Sequence, residues 1–272
     1  MRRFLPLCAL LLAACEGAGP APAQETTPER PTIVSLNPCA DAILAEVTAP
    51  GQLLAISHYS KDPQASSMTA RDAARFPATG GTVEEVLALD PDMVVASSFI
   101  DPATRAALDG LGIRVEMVDG MASVAQSLAQ VRDLARLSGN DAAGKRLVAR
   151  IENAIAEARG DGDPVEAALW QVGGIVPGDT ALISDLLRLT GFASYGAMRG
   201  MQQADYLSLE QIVADPPELL LVAGSEAGQR HPVLDDMPTM RRADFDMQLV
   251  YCGGPTIVRA VERLAEIRDG AA

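Results

Sequence analysis

The 272-residue chain reads as an α/β protein built lobe, long helix, lobe, with a parallel sheet in each lobe and a cleft between two related halves. Three observations predict this. Short apolar runs alternate with helical stretches in both halves, the arrangement of βαβ units. A purely helical region separates the halves, and one helix–turn–strand unit recurs once in each of them.

The chain opens on a targeting segment, residues 1–23. Arg2 and Arg3 precede an apolar run from Phe4 to Ala14 that is too short to span a bilayer. Leu12-Ala13-Ala14-Cys15 looks like a lipoprotein box that would lipidate Cys15, and it directly ends the apolar run. Ala21-Pro22-Ala23 offers the alternative, an ordinary signal cleavage site. Residues 24–31 then form a tether rich in Pro and Thr. Under either reading the mature protein works outside the cytoplasm, in the periplasm.

The first lobe spans residues 32–122. Thr32 to Leu36, Leu53 to Ser57, Met93 to Ser97 and Ile113 to Val118 read as strands, with helices around Ala40 to Val47, Val83 to Leu89 and Ala103 to Leu111. A helical connection follows over 123–160. Ser123 to Leu137 puts Val124, Leu128, Val131 and Leu134 on one face, and a backbone helix over 141–159 does the same with Leu147, Val148, Ile151 and Ile155. Gly160-Asp161-Gly162-Asp163-Pro164 stops it. The second lobe spans 165–272, with strands at Ala167 to Val172, Leu219 to Ala223 and Gln248 to Tyr251 and helices at Thr180 to Leu189, Leu209 to Ala214 and Thr256 to Ile267.

The recurring unit is Thr82-Val83-Glu84-Glu85-Val86-Leu87-Ala88-Leu89-Asp90-Pro91-Asp92-Met93-Val94-Val95 against Ser208-Leu209-Glu210-Gln211-Ile212-Val213-Ala214-Asp215-Pro216-Pro217-Glu218-Leu219-Leu220-Leu221. Both copies open on a capping box, Thr82 with Glu85 and Ser208 with Gln211. The boxes leave Glu84 and Glu210 unexplained. They are either acids that favour a helix N-terminus or a matched pair, one per lobe, that docks onto arginines of a partner; the chemistry alone favours the former.

Composition narrows the function. A net charge of −14 with no basic cluster excludes a nucleic-acid role. No Gly-x-Ser-x-Gly, Gly-x-Gly-x-x-Gly or P-loop occurs, and two histidines leave little for a triad or a metal site, so no catalytic residue and no metal ligand are assigned. In open parallel sheets ligands lie beyond the carboxyl ends of the strands. Those ends supply Asn37, Cys39, His58, Tyr59, Ser97 and Phe99 from the first lobe and Gln171, Gly174, Tyr251 and Cys252 from the second. Cys39 and Cys252 are the cysteine pair left after export, which an oxidising compartment would bond if the lobes bring them together. Otherwise they fill apolar space or face a soft metal as thiols. Trp170 reads as core and His231 as solvated.

The order of these pieces resembles periplasmic binding proteins of the iron-siderophore and vitamin B12 class. The matching residues are Ile33 to Pro38 with Asp41, Ser57 to Ser60, Gly80-Gly81 before Val83 to Leu89, Leu111-Gly112-Ile113, the second glutamate motif, and Gly253-Gly254-Pro255. The resemblance implies two Rossmann-like lobes on one rigid helix and a monomer without a cofactor of its own. It implies delivery of a small metal-chelate ligand, itself carrying cobalt or iron, to an ABC-transporter permease. Family glutamates that pair with permease arginines map onto Glu84 and Glu210, which turns the reading of both toward docking. Ser57 to Ser60 and Gln171 to Gly173 look most like the vitamin B12 branch, so a corrinoid is the first expectation. A ferric siderophore or heme comes next, and a ligand-sensing accessory lipoprotein is the alternative of another class. Tyr59 matches one aromatic of that branch, but Ala78, Ser97 and Ala204 stand where others are expected, so the cleft reads as poor in aromatics and without evident basic residues.

Overall fold

The computed structural model describes residues 30–202 and 204–270. The signal segment, Cys15 and nearly all of the tether lie outside the described residues.

Asn37 starts the first helix. Its side-chain oxygen accepts from the backbone N–H groups of Cys39 and Ala40, and Pro38 follows at the first helical position. In the first lobe β1 (Ile33–Ser35), α1 (Pro38–Val47), β2 (Leu53–Ser57), a 3-10 turn (His58–Lys61), α2 (Ala70–Ala73) and β3 (Ala78–Thr79) precede α3 (Val83–Leu89), β4 (Met93–Ala96), α4 (Pro102–Gly110) and β5 (Arg114–Met117). The five strands form one parallel sheet in the order β3-β2-β1-β4-β5. Two helices, α5 (Val124–Leu137) and α6 (Asp141–Glu157), then lead out of the lobe. They touch closely, because a Cβ built on Gly144 would stand 2.4 Å from the Ala135 Cβ. Any larger residue there would push the pair apart.

The second lobe contains β6 (Val165–Gln171), β7 (Ile175–Val176), α7 (Leu182–Leu189), β8 (Phe192–Ser194), α8 (Tyr195–Met198), β9 (Asp205–Tyr206), α9 (Leu209–Ala214), β10 (Leu219–Ala223), β11 (Arg241–Asp244) and α10 (Thr256–Arg268). Its parallel sheet runs β11-β10-β6-β8, and β7 with β9 forms a small antiparallel pair. Read from the other edge, β8-β6-β10-β11 repeats β2-β1-β4-β5. The recurring sequence unit thus occupies the same place in each lobe, α3 into β4 and α9 into β10.

One continuous apolar cluster runs through both lobes. It passes from Ile33 and Ile43 through Val131 and Ile151 to Leu186 and Leu264, all buried. Two smaller clusters cover the other sheet faces, one around Val34, Val94 and Leu108 and one around Trp170, Ile212 and Leu220. At about 1.5–3 kcal/mol for each large aliphatic side chain fully buried, the shared layer makes the joint as strong as a domain core. The backbone helix is therefore packed into the protein on both sides of the junction, the physical basis of a rigid connection.

Two expectations need correction. Gln248 to Tyr251 is not a strand; Met247–Leu249 is a 3-10 turn. The edge strand is β11, whose Arg-Arg-Ala-Asp sequence hides it because edge strands carry charge where central strands carry apolar residues. The capping box is reciprocal at Ser208 and Gln211. At Thr82 only half forms, since the Glu85 carboxylate accepts instead from the Thr79 hydroxyl at 2.8 Å.

The misassigned stretch and the residues after it serve a different purpose. Residues 246–259 bridge back to the first lobe. The Tyr251 hydroxyl donates to the Gln64 carbonyl at 2.5 Å, and the Cys252 N–H donates to Ser67 Oγ at 3.1 Å. The Gly254 N–H donates to Ser127 Oγ of α5 at 2.7 Å. Gly254 has φ +59, and a Cβ there would lie 2.6 Å from Ile43, so both conformation and space call for glycine.

Candidate ligand cleft

The carboxyl ends of β1, β2, β3 and β4 enclose a cavity of about 480 Å³ whose lining includes His58, Tyr59, Thr79, Glu84, Phe99 and Asp101. The turn that carries His58 and Tyr59 is held from below. Asp41, fully buried on α1, accepts through Oδ2 from the Ser57 N–H at 2.9 Å and from the Ser60 hydroxyl at 2.6 Å. The two rings between these anchors are exposed, with centroids 4.1 Å apart. Burial pushes the Asp41 carboxyl up to about 7, against the hydrogen bonds from Ser60 and Ser57 that favour its charged form. Beyond β4, Ser97 Oγ accepts from the Phe99 N–H at 3.3 Å and shapes a turn that leaves Phe99 95% exposed.

The second lobe presents a different wall. At the end of β6, Gly173 and Gly174 both have φ +75, which turns the chain sharply. A Cβ on Gly174 would lie 2.6 Å from the Tyr206 ring, so the glycine lets that exposed tyrosine lie flat on the turn. The Glu226 carboxylate accepts from the Gly173 N–H at 2.8 Å. Gln229, buried, donates to the Trp170 carbonyl at 3.0 Å and accepts from the Glu226 N–H at 3.0 Å, fastening the loop after β10. Beyond β10 and β11 lies a cavity of about 630 Å³ with Arg230, Arg242 and Arg263 beside Asp244 and Asp246. Each arginine is part-engaged. Arg242 pairs with Asp235 at 3.0 Å, Arg263 reaches the Asp244 carbonyl at 3.0 Å, and Arg230 Nε reaches the Ser225 carbonyl at 2.8 Å.

Several residues expected at the cleft are committed elsewhere. Asn37 is a buried helix cap whose Nδ2 also donates to the Val118 carbonyl at 3.0 Å, so its polar atoms are occupied within the fold. Cys39 and Cys252 form a disulfide with Cα atoms 5.2 Å apart, so neither is a free thiol for a ligand or a soft metal. Tyr251 is a partly exposed bolt to Gln64, and burial raises its phenol above the usual range. Trp170 is core, with Nε1 donating to the Leu207 carbonyl at 2.9 Å. Tyr206, the three arginines, Gln229 and the anchoring role of Asp41 were not read from sequence. The adjacent Arg241-Arg242 was a usable signal for the basic wall. Nothing local marks Tyr206, whose exposure depends on Gly174. The first lobe's cavity thus carries Tyr59 and Phe99, and the second lobe's carries Arg230, Arg242 and Arg263.

Glu84 and Glu210 stand exposed in the first turns of α3 and α9, at equivalent places in the two lobes. Hydrogen bonds from its own N–H and from Ser208 hold Glu210 below the ordinary carboxylate range. Among the described residues no three His, Cys, Asp or Glu side chains are grouped to hold a metal ion, and no helix is long and apolar enough to cross a membrane.

The architecture has clear relatives. Among solved structures, the periplasmic heme-binding protein HutB of Vibrio cholerae matches with a TM-score of 0.70 at 17% identity, over 88% of this chain and 99% of that one. The periplasmic vitamin B12-binding protein BtuF of Vibrio cholerae matches with 0.68 at 17%, over 89% and 98%. The heme-binding protein RhuT of Roseiflexus sp. RS-1 matches with 0.67 at 20%, over 89% and 99%. A cobalamin-binding protein of Halobacterium salinarum is 26% identical over 225 residues, 80% of this chain. The aligned stretch spans only 60% of that relative's length. The periplasmic binding protein family model matches residues 33–246. With that match over most of its length and the two-lobed fold to go with it, the chain belongs to the periplasmic binding protein family.

Proposed function

We propose that this chain is the extracytoplasmic substrate-binding component of an ABC importer, which captures a corrinoid between its lobes and hands it to a membrane permease without catalysing a reaction. The observation that carries the reading is the set of exposed rings Tyr59, Phe99 and Tyr206 at strand ends. Tyr59 and Phe99 line the first lobe's cavity and Tyr206 stands exposed on the second lobe, and exposed aromatics of this kind suit a large, partly apolar ligand. The cobalamin-binding relative supports the choice of a corrinoid. Family membership and the N-terminal sequence support a periplasmic location, with Cys15 as the lipid anchor if the lipoprotein box is used. Glu84 and Glu210 supply one free acidic group per lobe for two cationic groups of a permease.

A second reading within the same class is favoured by Arg230, Arg242 and Arg263. Guanidinium groups at the cleft suit a ligand with carboxylates, such as heme or a ferric siderophore.

Calorimetric titration of the purified mature protein with cyanocobalamin, hemin and a ferric hydroxamate tests both. Saturable binding of cyanocobalamin alone supports the corrinoid, and binding of hemin or the hydroxamate alone replaces it with the second reading. Absence of binding across the three rejects capture of a metal chelate.

A further inference from the structure

Among the described residues Asp41 is the one buried carboxylate, and its setting is unusual. It is 0% exposed, and its Oδ1 makes no hydrogen bond. No ion pair reaches it among the described residues. The groups that face it are neutral. Ser57 and Ser60 come from β2 and the turn after it, and the Ser35 hydroxyl from β1 is itself engaged with the Asn37 carbonyl at 3.3 Å. The other elements packed on α1 are α5 and α6, whose buried faces are apolar but for Ser127. The titratable groups of the turn point elsewhere. His58 and Tyr59 are exposed at the cleft, and Lys61 is bonded to the carbonyls of Ala73 and Phe76.

Two bonds from this one carboxyl group pin both ends of the turn that presents His58 and Tyr59. A buried carboxylate with one bare oxygen and no cation is held in its charged form at a cost, whereas an opened turn lets water reach it. We propose that Asp41 is a positioning residue that makes the order of the His58–Tyr59 wall depend on pH, tight in acid and loosening as the solution approaches neutrality. The consequence for ligand capture rests on the function proposed above; the device itself does not.

Linkage fixes the direction and the window. The carboxyl titrates at about 7 in the closed turn and near its ordinary 3.8 once hydrated. Between those values the closed turn holds a proton that the open turn has lost, so each pH unit favours opening by about tenfold. Below the window the closed turn keeps its full advantage. Above about 7 both forms are charged and the effect levels off.

Amide hydrogen exchange at Ser57 and its neighbours in the turn, followed from pH 4.5 to 8.5 on the full mature chain without ligand, tests the device. Protection factors should fall roughly tenfold per unit up to about pH 7 and then flatten. Asp41→Asn, whose amide imitates the protonated acid, should give a flat profile at the high-protection level. Ser60→Ala removes a hydrogen bond that favours the charged form and should move the break to higher pH. A flat wild-type profile, or a slope that survives in Asp41→Asn and so belongs to His58, overturns the proposal. Hemin and cyanocobalamin affinities measured over the same range then read the consequence: a pH-dependent affinity lost in Asp41→Asn supports coupling to capture, and an unchanged one confines the effect to the turn.

Discussion

The two lobes share a strand order but fasten their cleft walls with different chemistry. In the first lobe a buried carboxylate, Asp41, holds the turn after β2 and leaves one oxygen bare. In the second a buried amide, Gln229, holds the loop after β10 with its nitrogen on the Trp170 carbonyl and its oxygen on the Glu226 N–H. An amide can both donate and accept without charge, so its fastening is indifferent to pH. A carboxylate only accepts, and burial makes its ionisation expensive. A duplicated framework can therefore carry one wall that responds to its surroundings and one that does not. The walls also differ in what they offer a ligand, Tyr59 and Phe99 with a histidine on one side and guanidinium groups with Tyr206 on the other. Such a pairing suits an amphipathic ligand with an apolar face and anionic substituents.

The largest expected effect comes from releasing what ties the walls together. The Cys39–Cys252 disulfide joins residues 213 positions apart, across the lobes. Closing so long a loop restricts the unfolded chain strongly, and Cys39→Ala with Cys252→Ala should cost about 3–5 kcal/mol in urea unfolding. The hydrogen bonds of Tyr251, Cys252 and Gly254 remain to align the lobes, so the folded structure should survive in the doubly substituted protein. A loss below 1 kcal/mol would mean that those bonds already set the junction and that the disulfide adds little.

Next in size are the two fastenings themselves, which should respond with opposite signs. Gln229→Leu strands the Trp170 carbonyl and the Glu226 N–H and should destabilise by about 2–4 kcal/mol at every pH. Asp41→Asn should be near neutral at pH 4 and stabilising by about 2–4 kcal/mol at pH 8. Its raised pKa means that the wild-type contribution is complete below about 4 and lost as pH rises through 7. Thermal unfolding of both variants at pH 4, 6 and 8 checks the contrast. Parallel pH dependence in the two would remove the distinction between the lobes.

This contrast also marks how far the sequence reaches. The repeat of Thr82 to Val95 in Ser208 to Leu221 is legible because capping, periodicity and turn residues are local, and it places α3 before β4 and α9 before β10 correctly. β8 escapes because its three residues, Phe-Ala-Ser, lack the β-branched run that marks the equally short β1, and β11 because an exposed edge carries arginine and aspartate. Asp41 stands in the chain as one polar residue in an apolar helix. Only the strand packed above it makes it buried, and only the neighbours that strand brings decide whether its charge is answered. Tyr206 and the arginine wall are likewise products of assembly.

A smaller effect should separate the walls by ligand chemistry. Arg242 and Arg263 line the second lobe's cavity and are partly satisfied by Asp235 and by the Asp244 carbonyl. Exposed pairs of this kind contribute about 0–1 kcal/mol to stability. Arg242→Ala should therefore leave unfolding almost unchanged. It should weaken hemin roughly tenfold, at about 1.4 kcal/mol for a factor of ten, while cyanocobalamin changes little. Equal loss for both ligands would show that the arginine shapes the cleft instead of reading anionic groups.

The smallest effect on the isolated protein belongs to the two positions where the lobes are most alike. Glu84 and Glu210 occupy the same first-turn place on α3 and α9, both exposed, and neither forms an ion pair among the described residues. As favourable charges near short helix N-termini each is worth about 0.3–1 kcal/mol. Glu84→Gln and Glu210→Gln keep shape and remove charge, so each should shift stability by less than about 0.5 kcal/mol, and Glu210→Gln, which lines neither cavity, should leave ligand affinity unaltered. If they dock onto a permease, the same changes should reduce uptake of whichever chelate the protein binds, and the double variant more than either single one. A fall confined to one variant would assign docking to one lobe and end the symmetry between them. Full uptake in the double variant would return both residues to the helix-terminus role and point to the sensing alternative, in which ligand is bound but never handed on.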